Sequence, residues 1–122
     1  MGWGSSGHNQ AQVLRVAGCA KVHHYWVNNG MLLDAGKSLA DGMWHHVAAT
    51  FDGSTRRIYV DFVEVGSKTG ARPGGKLTDK SSFCVGNSFE GQNDPFTGEL
   101  AGVRVHRWAI IPSIAANPTP IG

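Results

Sequence analysis

Apolar residues recur at every second position through the middle of the chain. In Trp44-His45-His46-Val47-Ala48-Ala49-Thr50-Phe51, the residues Val47, Ala49 and Phe51 share one face, and His46, Ala48 and Thr50 share the other. In Arg56-Arg57-Ile58-Tyr59-Val60-Asp61-Phe62, the residues Ile58, Val60 and Phe62 lie opposite Arg57, Tyr59 and Asp61. Successive strand side chains point to opposite sides, so this period of two predicts half-buried antiparallel strands. Asp52-Gly53-Ser54-Thr55 separates the two runs. Asp-Gly between alternating segments predicts a hairpin, because glycine takes φ > 0 without a Cβ clash. The pattern therefore places a hairpin at 43–52 and 55–65.

Further strands are expected on the same grounds. Gln12–Val16 alternates, Val22–Asn28 is rich in aromatic and branched residues, and Asn29-Gly30 turns the chain into Met31–Asp34. Ser82–Gly86 is a short run, and Phe96–Trp108 carries Leu100, Val103 and Val105 between Gly98 and Gly102. No sustained apolar stripe of helical period occurs. About seven strands separated by regular turn signals predict an all-β fold, an antiparallel β-sandwich or jelly roll.

Composition narrows the picture. A chain of 122 residues and 13.0 kDa makes one domain. Charged residues are 16% and the net charge is +2, which excludes a disordered polyelectrolyte. Arg56-Arg57 is the one adjacent Lys/Arg pair, so no nucleic-acid partner is expected. No apolar run approaches the ~20 residues that span a bilayer, so no membrane insertion is expected. The start, Met1-Gly2-Trp3-Gly4-Ser5-Ser6-Gly7, shows no signal peptide. Seventeen glycines, scattered without a period of three, fit a fold with many turns. Cys19 and Cys84 are too few for a disulfide scaffold; one bridge and two buried thiols are both open.

Two blocks carry a specific resemblance. Asp41-Gly42-Met43-Trp44-His45-His46-Val47-Ala48-Ala49-Thr50-Phe51-Asp52-Gly53, followed by Arg57-Ile58-Tyr59-Val60-Asp61, resembles the laminin-G-like branch of the concanavalin A-like lectin/glucanase superfamily. Its members carry a W-H-H-V-A-x-T-F-D-G hairpin leading into an I/L-Y-V-D-G strand. Val85-Gly86-Asn87, then Phe96-Thr97-Gly98-Glu99-Leu100-Ala101-Gly102-Val103-Arg104-Val105, is similar to that family's I-G-N … F-x-G-x-I-D-E-V-R-I-Y block. The resemblance implies a concanavalin A-like jelly roll over 1–110, incomplete at its N-terminus, with 111–122 as an extended proline-containing tail. It also implies extracellular carbohydrate or protein ligands, often with calcium, and a structural core role for Trp44.

The departures carry expectations of their own. Further family strands normally precede the segment that begins at Trp3, and without them an edge is left unpaired. Phe62 stands where the family has glycine. A phenylalanine does not take φ > 0 cheaply, so this hairpin tip is expected to use another turn. Ala101-Gly102 replaces an acidic pair, and His106 replaces the aromatic that ends the strand.

Candidate chemistry points to binding. Glycosidases need two carboxylates about 5–10 Å apart. None of the nine acidic residues stands two positions from another, so no enzyme is expected. His23-His24 and His45-His46 are adjacent pairs, whose members face opposite ways on a strand and cannot share an ion. Only a cross-strand pairing such as His24 with His46 would bring two together. The loop around Asn87, Glu90, Asn93 and Asp94 supplies hard oxygen ligands and is the candidate calcium site. Aromatic platforms beside amides suit sugars. Tyr25, Trp26, Asn28 and Asn29 form one such cluster, and Phe89, Gln92 and Asn93 another. The expected function is a non-enzymatic module that recognises a glycan or protein surface. The competing expectation is a self-associating structural protein with no ligand site, its unpaired edge hidden in a homo-oligomer. A glycosidase or lyase remnant ranks third.

Overall fold

The computed structural model describes residues 1–3, 12–17, 21–26, 33–70, 83–87 and 95–113. Its strands are β1 (Gly2–Trp3), β2 (Gln12–Ala17), β3 (Lys21–Trp26), β4 (Leu33–Ser38), β5 (Val47–Phe51), β6 (Thr55–Val60), β7 (Val63–Thr69) and β8 (Phe83–Cys84). They form two antiparallel sheets, a five-stranded one ordered β4-β3-β2-β1-β8 and a three-stranded meander β5-β6-β7. The expected all-β antiparallel sandwich is what the chain forms. Cys84 is a free thiol in β8; Cys19 lies outside the described residues.

The meander follows its turn chemistry. Asp52 and Gly53 (φ 101°) turn β5 into β6, as the sequence predicts. Asp52 Oδ1 accepts hydrogen bonds from the Ser54 and Thr55 backbone N–H groups at 2.9 and 2.8 Å. Asp52 Oδ2 meets Arg57 Nη1 at 2.6 Å. These donors, Arg57 first, hold the Asp52 carboxyl well below the usual carboxylate range.

β6 is the centre of the meander and is buried along nearly its whole length. Its inward face carries Arg56, Ile58 and Val60, as the period of two requires. Ile58 and Val60 pack with Val22 of β3, and Leu14, Leu39, Val47 and Val65 close around them. Arg56 is wholly buried on that same face and donates from Nη1 to the His24 carbonyl of β3 at 3.2 Å. Arg57 points the other way, to Asp52 and Glu64. The adjacent arginines therefore serve opposite faces of one strand. His24 is buried beside Arg56; burial first, and the guanidinium charge second, push its pKa down to about 4.

Two expectations need correction. The run 55–65 is not one strand, because the chain reverses at Asp61 and Phe62, with Val60 opposite Val63. Both turn residues have positive φ, 50° and 68°, the signature of a type I′ turn. Phe62 thus adopts the conformation thought too costly for it. His46 explains why: its ring stacks on Phe62 with centroids 4.3 Å apart and planes 17° from parallel. The backbone of His46 also accepts from the Asp61 N–H at 2.8 Å. Second, Phe96–Trp108 is not a strand; 95–113 contains no regular element. Its apolar alternation is broken where Gly102 takes φ 62°, and its described backbone tie to the sheets is the bond from the Phe96 N–H to the Gly86 carbonyl at 2.8 Å. The cross-strand histidine contact left open by the sequence is settled by position: His24 is on β3, whereas His46 precedes β5 of the other sheet. His24 lies opposite Leu14 and Leu33, so the cross-strand histidine pair does not form.

Two outcomes follow. A left-handed non-glycine residue costs about 1–2 kcal/mol, and a stacked aromatic pair returns about 0.5–1.5 kcal/mol. Phe62→Ala keeps the strain and loses the stack, so it should destabilise by about 0.5–1.5 kcal/mol. Phe62→Gly loses both and should lie within about 1 kcal/mol of the parent, above the alanine variant in urea denaturation. Alanine ranking above glycine would contradict this account of the turn. The second outcome concerns acid. His24 is neutral in the folded chain down to about pH 4, while the unfolded chain takes up its proton near 6.5. Its contribution therefore falls as pH drops through that window, by about 3 kcal/mol over the whole of it. Urea midpoints recorded across this range should fall less steeply for His24→Gln than for the parent.

Candidate functional site

The Asp61–Phe62 turn and the segment leading into β5 meet at one corner of the meander. The β5–β6 register pairs Val47 with Val60, so one step further brings His46 beside Asp61. Asp61 Oδ1 accepts from the His46 backbone N–H at 3.0 Å. Its other oxygen, Oδ2, meets His45 Nδ1 at 2.8 Å. The remaining ring nitrogen, Nε2, meets Asp41 Oδ1 at 2.9 Å. Asp41 Oδ1 also accepts from the Met43 N–H at 3.0 Å, closing a turn through Gly42 at φ 78°.

One imidazole is thus clamped between two carboxylates. Donation to both requires both ring nitrogens to carry protons, so the arrangement favours the imidazolium. Accordingly the His45 pKa is raised, by Asp61 first and Asp41 second. The Asp41 carboxyl is lowered, chiefly by His45 and then by the Met43 N–H. Asp41 and Asp61 approach opposite edges of the ring, and so do not converge on a common ion. Among the described residues no group of three His, Cys, Asp or Glu side chains could hold a metal.

The clamp fixes the backbone on both sides of Trp44. Met43 is tied to Asp41, His45 is held by its ring, and His46 is tied to Asp61 and stacked on Phe62. Between these anchors the side chains of Met43 and Trp44 stand in water, 72% and 65% exposed. The expected core role of Trp44 is therefore wrong. The chain around it is fixed by polar bonds, and the indole points away from the sandwich.

The residues expected to bind a ligand are placed only in part. Tyr25 and Trp26 are on β3, opposite Val13 and Gln12. Asn28, Asn29, Phe89, Gln92 and Asn93 lie outside the described residues, as do Glu90 and Asp94 of the candidate calcium loop. Asn87 is described and exposed, just beyond β8. The corner itself was missed, although its signal is present: a hairpin turning at Gly53-Ser54 and extended in register brings position 46 to position 61.

Comparison with known proteins agrees with the fold. The family model of the concanavalin A-like lectin/glucanases superfamily matches residues 4–113. A solved structure of an S-layer domain-containing protein from Clostridium thermocellum is similar, with a TM-score of 0.53 and 24% sequence identity over 94% of this chain. The chain spans 58% of that structure's length. No curated protein matches the sequence.

The clamp predicts how His45 titrates. Its raised pKa contributes stability that is complete below the ordinary value of 6.5 and is lost as pH rises through the raised value. Asp61→Asn and Asp41→Asn should each lower the His45 pKa in an NMR titration of its ring protons, Asp61→Asn by more. Asparagine tolerates positive φ, so the Asp61 turn is kept. An unmoved His45 titration in both variants would break the clamp assignment.

Proposed function

The chain belongs to the laminin-G-like branch of the concanavalin A-like lectin/glucanase superfamily, and from that premise we propose that it is a non-enzymatic binding module whose ligand is a glycan, received at the Trp44 corner. The observation that carries this reading is the exposure of Trp44 on a backbone pinned from both sides. An indole face in water is a stacking surface for the apolar face of a sugar ring. Pinning matters because binding then orders little that was free beforehand. The carboxylates of Asp41 and Asp61 remain about half exposed and offer acceptors to hydroxyl groups beside that surface.

The same corner argues for binding over hydrolysis. A glycosidase general acid keeps its proton because its pKa is raised. Asp41 is shifted the opposite way. Both carboxylates already accept hydrogen bonds from His45, and each also accepts one from a backbone N–H. The calcium site expected around Asn87 enters this proposal as a second variable.

A glycan array probed with the folded protein, in calcium and again with chelator, tests the reading. The parent should bind a defined set of glycans. Trp44→Ala should bind them at least tenfold more weakly, equivalent to about 1.4 kcal/mol, with its thermal melt kept. Trp44→Phe should retain part of the binding. Loss with chelator would support an ion near Asn87. A blank array, or unchanged binding by a folded Trp44→Ala variant, would overturn the glycan reading.

A further inference from the structure

The segment 95–113 follows the edge strand β8, to which Phe96 is tethered through Gly86. Leu100 Cδ1 lies 4.0 Å from where a Cβ on Gly86 would stand, so the segment stays beside that edge. Yet Leu100, Val103, Val105, Trp108 and Ile111 are all exposed, Val105 by 63% and Ile111 by 79%. Branched residues alternate here as in a strand, but no strand forms. An apolar, strand-like segment beside a sheet edge invites pairing with another chain.

The sequence of the segment indicates which chain. Two identical strands related by a twofold axis pair antiparallel about one residue, and every cross-strand contact then occurs twice. With Val103 on the axis, Val103 faces its own copy. Ala101 then faces Val105, and Glu99 faces Arg107, on one side of the ribbon. Two opposite-charge pairs thus flank a stripe of alanine and valine. On the other side Trp108 covers Gly98, Leu100 meets His106, and Gly102 leaves room opposite Arg104. The order of residues from Glu99 to Arg107 is complementary to its own reverse. Gly98 and Gly102, at φ 148° and 62°, must extend to join the pairing. Glycine makes that change without a Cβ penalty. Both Glu99 and Arg107 are exposed, and the Arg107 guanidinium, 5.8 Å from the centroid of the Trp108 ring, leaves that ring to reach a second copy.

We propose that Glu99–Arg107 is a homodimer interface, at which two copies of this chain pair antiparallel about Val103, with Glu99 of each against Arg107 of the other. The interface shares no residue with the Trp44 corner and stands or falls apart from the glycan reading.

Sedimentation of the full chain over a concentration series tests it. The parent should approach twice 13.0 kDa and dissociate on dilution. Val103→Asp sets two carboxylates face to face on the axis and should give a folded monomer by circular dichroism and mass. Glu99→Arg and Arg107→Glu should each weaken the dimer by about tenfold, since each makes two like-charge contacts. The double variant Glu99→Arg/Arg107→Glu should recover parental affinity. A parent of single-chain mass at every concentration overturns the proposal. So do association that survives Val103→Asp, open-ended aggregation, and charge reversals that the double variant fails to rescue.

Discussion

A guanidinium is wholly buried on the strand face that also carries the valine, leucine and isoleucine cluster of the core. Taking a cation out of water costs several kcal/mol unless its hydrogens find acceptors inside. Arg56 meets part of that demand by reaching from Nη1 across the sandwich to the His24 carbonyl. The bond is therefore also a positional constraint, because β6 can slide against β3 only by stranding the charge. Ile58 and Val60 share the Arg56 face, so the register that satisfies the arginine also seats the core. The neighbouring imidazole bears the consequence: its own burial first, and the guanidinium charge second, keep His24 neutral. A polar contact thus does in this small core what shape complementarity does in larger ones.

The opposite solution appears at the far end of β6. There charge is gathered at the surface, and one residue, Asp61, ties the turn it belongs to against the segment before β5, through both the His46 backbone and the His45 ring. Two consecutive residues with positive φ make a strained turn. The strain persists because the Phe62–His46 stack and the Asp61 hydrogen bonds over-determine the geometry. Trp44 is presented by this rigidity, so backbone strain, the ion clamp and indole exposure are parts of one arrangement.

Much of the meander was legible in sequence. Period-two alternation and Asp52-Gly53 located β5 and β6, and register carried forward from that turn would have found the His46–Asp61 contact. The break at Asp61 was illegible to local rules, because only a tertiary partner, the His46 ring, makes Phe62 tolerable there. The burial of Arg56 was illegible for a related reason. A charged residue beside another looks like surface, and nothing local announces a carbonyl on a strand more than thirty positions away. Phe96–Trp108 failed differently. Its pattern is that of a strand, but a strand needs a hydrogen-bonding neighbour, and alternation cannot say whether the chain supplies one. Trp44 was assigned inward by resemblance, where its surroundings put it outward.

The pairing of β1 with β8 sets Gly2 opposite Cys84. Every contact within the meander closes a short loop, whereas this one joins residues at widely separated places in the sequence. Closure entropy rises with the logarithm of loop length, which makes this pairing roughly 2–3 kcal/mol harder to initiate than a tight hairpin. Contacts of that kind form late and open early, once the sheets that hold the two ends together are already in place. The seam between the first and eighth strands is thus where the sandwich is least committed. Phe96 is anchored to Gly86, two residues beyond it, so the position of the segment that follows depends on a pairing made between distant parts of the chain.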